Sequence, residues 1–232
     1  MNTEQNTIRV GFTDNHPCSY LVGQEERVAV ALGERLHNGE QYDMLLANGF
    51  RRSGGMIYKP HCDHCHACQP LRIVVADFSP STSQKRLLNK ARHLEWTLKS
   101  ELDAEWFTLY SRYIEARHAT GSMYPPKEAE FSQFARCDWL NTQFLHIYDQ
   151  GRLIAVAVTD ILPSSASAFY TFYDPEHPLS LGTLGVLLQL DYCRQAQKTW
   201  LYLGYQIDSC PAMNYKVRFQ RHQKLVNQRW QG

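Results

Sequence analysis

Apolar and polar residues change rhythm several times along the chain, and each change predicts an element. Thr7–Phe12 alternates and predicts a short strand. Glu25–Leu36 predicts one helix, and Glu40–Ala47 a second that stops before Asn48-Gly49. Phe50–Tyr58 and Leu71–Phe78 predict strands on either side of a cysteine-rich loop. Ser81-Thr-Ser opens a helix that continues as the basic segment Lys85–Arg92, and His93–Lys99 alternates as a strand. Asp103–Ala119 carries Trp106, Phe107, Tyr110 and Ile114 at helical spacing, and Pro125-Pro126 starts a helix reaching Phe134. The rhythm then turns to strands: Phe144–Tyr148 and Leu153–Thr159, joined by the hairpin signal Asp149-Gln-Gly151, and then Ala168–Tyr173. Leu181–Ala196 is an amphipathic helix opened by Ser180 and two glycines, and Trp200–Leu203 is a last strand.

Strand, strand, strand, helix, strand is the order of the GNAT acyltransferase fold. The expected class is therefore α+β, with a GNAT-like half over residues 81–232 and a smaller, cysteine-containing N-terminal lobe over residues 1–80. A chain of 232 residues buries enough surface to fold without staples. No apolar run approaches the roughly 20 residues of a transmembrane helix. Met1–Asp14 has no basic segment leading into an apolar one, so the expected address is cytoplasmic.

A formal net charge of +1 hides two basic segments. Residues 50–92 hold eight cations against Asp63 and Asp77, a net of +6. Residues 209–232 hold Lys216, Arg218, Arg221, Lys224 and Arg229 and no acid, a net of +5, which leaves −10 for the rest. That unevenness points to a local polyanion site, or to two solvated faces.

Three of the seven cysteines fall in Cys62-Asp-His-Cys65-His-Ala-Cys68. Thiolates three residues apart can turn toward one centre, and C-x2-C-x2-C serves zinc and iron–sulfur clusters alike. Either needs a fourth ligand: Cys18 in His16-Pro-Cys-Ser-Tyr20 is the natural one, with His61, His64 and His66 as competitors. In a reducing compartment this crowding reads as metal or redox chemistry, not as a disulfide framework.

From Cys18-Ser-Tyr-Leu21 almost to the C-terminus the motifs fall in one order. They include Gly49-Phe-Arg-Arg-Ser-Gly54, Tyr58-Lys-Pro, Pro70-Leu-Arg72, Phe78-Ser-Pro-Ser-Thr-Ser-Gln84, Tyr110 to His118, Phe172-Tyr-Asp-Pro175, Ser180-Leu-Gly-Thr183, Tyr202-Leu-Gly-Tyr205 and Met213-Asn-Tyr-Lys216. In these the chain resembles the aminoacyl-tRNA–protein transferases of the N-end rule pathway, and most of all their short bacterial aspartate/glutamate leucyltransferase branch. The eukaryotic arginyltransferases carry a CxxC at the first site; here its second position is Leu21. The resemblance implies transfer of leucine from leucyl-tRNA to the α-amine of a protein beginning with Asp or Glu. The product carries a destabilising N-terminus. It implies a GNAT-like fold without acetyl-CoA, and neither membrane nor DNA as a partner.

The ester is already activated, so the chemistry requires no cofactor. No G-x4-G-K-[ST] loop is present. What is required is a positioned amine, a base and an oxyanion hole. The acidic acceptor calls for cations: Arg51, Arg52, Lys59 and Arg72 bracket the cysteine loop, and Arg117-His118 ends a helix. Arg51 and Arg52 alternate on a strand, so at most one enters a given pocket. The tRNA calls for Lys85, Arg86, Lys90, Arg92 and Arg218, for Lys216 on a phosphate or carboxylate, and for Tyr215, Phe219 and Trp230 under unpaired bases. Ser180, Gly182 and Thr183 open a helix whose N–H groups suit the terminal phosphate or ribose. Asp174 is a candidate base beside Tyr173, and Tyr205 offers a ring to adenine. Competing readings are the same transfer with arginine as donor, a GNAT acetyltransferase, and a metal- or redox-sensing RNA-binding module on the cysteines.

Overall fold

In the computed structural model, which describes residues 7–232, the chain begins with β1 (Arg9–Phe12). The first six residues of the segment read for a leader lie outside the described residues. Next come the short strands β2 (His16–Pro17) and β3 (Glu25–Glu26), then β4 (Val28–Leu32), α1 (Gly39–Ala47) and the hairpin β5 (Arg51–Ser53) and β6 (Met56–Pro60). Beyond the cysteine loop lie β7 (Gln69–Val74), α2 (Thr82–Lys90), β8 (Glu95–Lys99), α3 (Trp106–Arg117) and α4 (Glu128–Ala135). Strands β9 (Asn141–Asp149), β10 (Arg152–Ile161) and β11 (Ser165–Tyr173) lead through α5 (Leu181–Gln195) to β12 (Trp200–Gln206). A 3-10 turn (Asn214–Arg218), β13 (His222–Val226) and β14 (Arg229–Gln231) close the chain. Among the described residues no helix is long and apolar enough to cross a membrane.

The large sheet has the order β14-β13-β7-β12-β11-β10-β9-β8. Its β10 shows why it lies in the middle: Ala155 and Ala157 face one core and Val156 and Val158 another, so both faces are apolar. On one face α5 brings Leu184, Val186, Leu187 and Leu190, and α2 lays Leu87 and Leu88 beside it. On the other face α3 and α4 cover β9–β11 with Tyr110, Ile114 and Phe131. The neighbouring part of that face, around Tyr202, is covered by Tyr42, Leu45 and Leu46 of α1 with Phe50 and Ile57 of the small sheet β1-β4-β6-β5.

Three expectations are corrected. Glu25–Leu36 forms strands and a 3-10 turn, because Ala29 and Ala31 point inward at period two while Gly33 at φ +120° breaks the run. Phe50–Tyr58 is a hairpin turning at Gly54-Gly55, not one strand. The division at residue 80 does not hold for the large sheet. Strand β7 precedes it, yet pairs with β12 and β13, since Leu71 and Ile73 complete the core under α5. The basic C-terminal segment is likewise built into that sheet, with Phe219 buried and Trp230 donating its Nε1–H to the Ala47 carbonyl at 2.9 Å.

Candidate active site

The one parallel pair of the large sheet is short. Strands β11 and β12 are in register only at Ser165↔Trp200, Ala166↔Leu201 and Ser167↔Tyr202. Beyond that β11 follows β10 as far as Tyr173↔Ala155, and β12 follows β7 as far as Gln206↔Gln69. The ladder therefore opens into a wedge whose walls are the second halves of both strands. A bulge between Tyr202 and Gly204 marks the opening, and Gly204 sits at φ +81°, where a side chain is strained.

Helix α5 starts at the end of β11. Ser180 gives its hydroxyl to Thr183 at 3.0 Å and caps no backbone N–H, so the first turn keeps its N–H groups for an anion. Gly182 is needed there for close approach: a Cβ would stand 3.2 Å from the Tyr173 ring. Beside this turn, Arg86, Lys90, Ser83 and Asn89 of α2 and Pro178–Ser180 line a groove of about 450 Å³. Helix α2 owes its form to a capping box between Ser81 and Gln84, which buries Gln84 and leaves Lys85, Arg86 and Lys90 exposed. Gln84 also donates to the Arg218 carbonyl at 3.4 Å, which sets exposed Arg218 at the start of this surface, and exposed Arg92 follows its end. The structure thus gathers the predicted tRNA residues around one groove, except Lys216, Tyr215, Phe219 and Trp230, the last of which is packed over Arg72 and bonded to Ala47. Phe219 is core, and Tyr215 packs against the same core.

The predicted acceptor cations separate. Arg52 is 2% exposed and is fully used inside the fold. It grips Asp160 with two bonds of 2.8 and 2.7 Å and reaches the Ala135 carbonyl at 2.7 Å. Burial disfavours its charge, and Asp160 more than restores it. Arg72 is stacked between Trp200 (3.5 Å) and Trp230 (4.1 Å) and bonded to Gln223 and Tyr202, with no face left for a substrate. Neither fits acceptor binding. Lys59 lies over the Phe50 ring at 4.7 Å, and burial lowers its pKa. Arg117 donates to the Pro175 carbonyl at 3.2 Å. His118 meets the Tyr113 hydroxyl at 3.2 Å, and burial and then Arg117 lower its pKa. Arg51 is different. It is 6% exposed, bonds only the Phe50 and Gly204 carbonyls, and keeps its buried Nε without a partner.

Two of the three predicted catalytic groups are occupied. Asp174 is buried with one oxygen on Arg112 (3.1 Å) and the Glu176 N–H and the other on Arg152 (3.2 Å), so both are taken by partners within the fold. Tyr205 is buried with its hydroxyl on the Gly49 carbonyl at 2.9 Å, so its ring is closed to adenine. Tyr173 remains: it ends β11 with its ring 4.8 Å from that of Tyr113 and tilted to it, and its hydroxyl has no partner among the described residues. Sequence reasoning passed over Asp160, Gly204 and the burial of Lys216. An acid inside the apolar run of β10 and a glycine inside β12 were the available signals for the first two.

Cys18, Cys62, Cys65 and Cys68 come together in charge if not in closed geometry. Burial, and then the charges of Cys62, Cys18 and Cys65, push the Cys68 thiol up to about 12. A cation held among the four sulfurs would relieve that opposition at Cys68, and four thiolates are the donor chemistry that zinc or an iron–sulfur cluster takes. Among the described residues no three His, Cys, Asp or Glu side chains are drawn into an ion's shell. The segment between β6 and β7 has no regular structure that would hold them apart.

Residues 16–86 match the family described as arginine-tRNA-protein transferase, N terminus, and residues 105–226 match its C terminus. The chain is 66% identical over 233 residues to the aspartate/glutamate leucyltransferase of Vibrio campbellii, covering 100% of both. It is 46% identical to the Aeromonas salmonicida protein of the same name, over 99% of this chain and 97% of that one. The solved structure of L-PGS from Bacillus licheniformis superposes at a TM-score of 0.48 and 10% identity, over 72% of this chain and 51% of that one, too loosely to bear on fold or chemistry.

Proposed function

The chain belongs to the arginine-tRNA–protein transferase family, and we propose on that footing that it moves leucine from leucyl-tRNA to the α-amine of proteins beginning with Asp or Glu. One observation carries the reading: relatives named for that reaction match from end to end at 66% and 46% identity. The product would carry a destabilising N-terminus in the N-end rule pathway, and the reaction belongs in the cytoplasm with its charged tRNA.

The geometry supports a GNAT-like division of labour. Helix α5 carries the crossover between two parallel strands that splay, and its uncapped first turn meets the basic groove of α2. We place the aminoacylated end of the tRNA there, on Arg86, Lys90, Ser180, Gly182 and Thr183, with Lys85, Arg92 and Arg218 on the phosphates beyond. The acceptor enters from the opposite face, where Arg51 and Lys59 lie. In the wedge the amine nitrogen attacks the ester carbonyl, the carbon–ribose oxygen bond breaks, and the amine proton ends on the ribose oxygen. We assign Tyr173 to pass that proton, since its hydroxyl is free among the described residues, and backbone N–H groups bared along the wedge to the oxyanion.

A metal would serve the fold. When bound, zinc or an iron–sulfur cluster would tie the loop of Cys62, Cys65 and Cys68 to Cys18 and hold the Arg51 side of the wedge rigid. Serine at Cys62, Cys65 and Cys68 is expected to abolish bound zinc or iron and to lower Tm by about 5 °C or more. Elemental analysis and thermal melts of anaerobically purified protein check this. Metal-free wild type with an unchanged melt would leave the loop a thiol scaffold.

The reading is tested by transfer from tRNA charged with labelled leucine or labelled arginine to peptides beginning with Asp, Glu, Lys or Ala. Leucine on the Asp and Glu peptides alone is the expected result. Arginine on them would correct the donor, and tRNA binding without transfer would favour the sensor module.

A further inference from the structure

We infer that Lys216, together with Arg51, seats the acidic side chain of the acceptor's first residue at Gly204, which makes Lys216 a specificity-determining residue and not a phosphate ligand of the tRNA. This rests on the transferase reading above. Both cations are 6% exposed, and neither has a carboxylate within reach among the described residues. Burying one cation without a counter-charge is costly, and burying two side by side more so. Elsewhere the same fold compensates its most buried cation in full, as at Arg52.

The two meet on consecutive residues of β12. Arg51 Nη2 donates to the Gly204 carbonyl at 3.3 Å, and Lys216 Nζ donates to the Tyr205 carbonyl and lies 3.4 Å from the Met213 sulfur. Every partner is neutral, and the Arg51 Nε–H has none. The Lys216 ammonium also lies 5.8 Å from the centre of the Tyr215 ring. Two cations held by neutral partners alone suit a bound anion. The space beside Gly204 is open: a Cβ there would meet nothing within 4 Å except Lys216 Nζ at 3.9 Å. A carboxylate over Gly204 would take a proton of Lys216 Nζ, and a small shift of the neighbouring Arg51 guanidinium would add a second charge-assisted bond, replacing repulsion by attraction.

Position separates this seat from the tRNA groove. Arg51 lies over the Tyr202 and Tyr205 rings on the face covered by the small sheet, whereas α2 and α5 pack on the other face. Acceptor and donor then reach the wedge from opposite sides, where the interrupted ladder lets them meet.

Initial rates with leucyl-tRNA and peptides beginning with Asp or Asn test the assignment. In Lys216→Met the KM for the Asp peptide is expected to rise about 10- to 100-fold, while that for leucyl-tRNA stays within about threefold. The preference for Asp over Asn should shrink by the same factor, and Lys216→Arg should restore part of it. A rise in the tRNA KM instead, or no change in either, overturns the proposal. Wild type that transfers nothing to the Asp peptide overturns the underlying reading instead. A second measurement needs no variant: labelling of Lys216 by an amine-acylating reagent, followed by mass spectrometry. The Asp peptide should protect Lys216 and an Ala peptide should not; equal labelling sinks the assignment.

Discussion

Arg52→Leu is expected to destabilise the protein by about 3–5 kcal/mol, through the folded state and not through substrate binding. The loss has a definite origin. Arg52 ties β5 to β10 through Asp160 and to the end of α4 through the Phe134 and Ala135 carbonyls, with the Phe169 ring 4.0 Å away. Leucine removes the cation and leaves Asp160 charged, buried and bonded only to Thr142. Since the charge is what burial makes costly, Arg52→Leu combined with Asp160→Leu should recover part of the stability. Urea midpoints of the two variants measure this. Whatever folded Arg52→Leu protein remains should show an unchanged KM for the Asp peptide. A stable variant with a raised peptide KM would return Arg52 to the acceptor site.

The same residue marks how far the sequence could be read. Both Arg51 and Arg52 lie beside the cysteine loop, and strand alternation says that they face opposite ways. It does not say which way leads to a substrate. That depends on Asp160, 108 residues later, and on Gly204, 153 residues from Arg51, contacts that no local pattern encodes. Elements whose cause is local were legible: the capped helix α2, the Asn38-capped helix α1, the hairpin at Gly151 and the crossover helix α5. Glu25–Leu36 was not, because Glu, Arg and Ala favour a helix while tertiary pairing with β1 and β6 makes Val28–Leu32 a strand. The acid-free C-terminal segment read as a tail for nucleic acid. Composition there describes charge, whereas the burial of Lys216 and Phe219 follows from their place in the 3-10 turn and loop under β12.

The second large effect concerns the tRNA. Arg86→Ala combined with Lys90→Ala is expected to weaken leucyl-tRNA binding by about 30-fold at physiological salt, since each lost phosphate contact forfeits the release of about one counterion. The slope of log Kd against log salt should fall by about 1.5 to 2. Both side chains are exposed on α2 and hold no carboxylate among the described residues, so neither stability nor the KM of the Asp peptide should move. That separation matters because the two basic regions carry opposite meanings. Around α2 the cations are solvated and can yield their counterions to a polyanion, which is what gives salt dependence. Around Gly204 they are buried, screened little by salt, and suited to a single carboxylate. The double variant and Lys216→Met should therefore differ in kind. In the first, leucyl-tRNA binding fails, and fails more gently as salt rises; in the second, the Asp peptide binds poorly at every salt concentration. If the α2 variant leaves the salt slope unchanged, the groove beside Ser180 is only a solvated face, and the donor's phosphates must lie elsewhere on the surface.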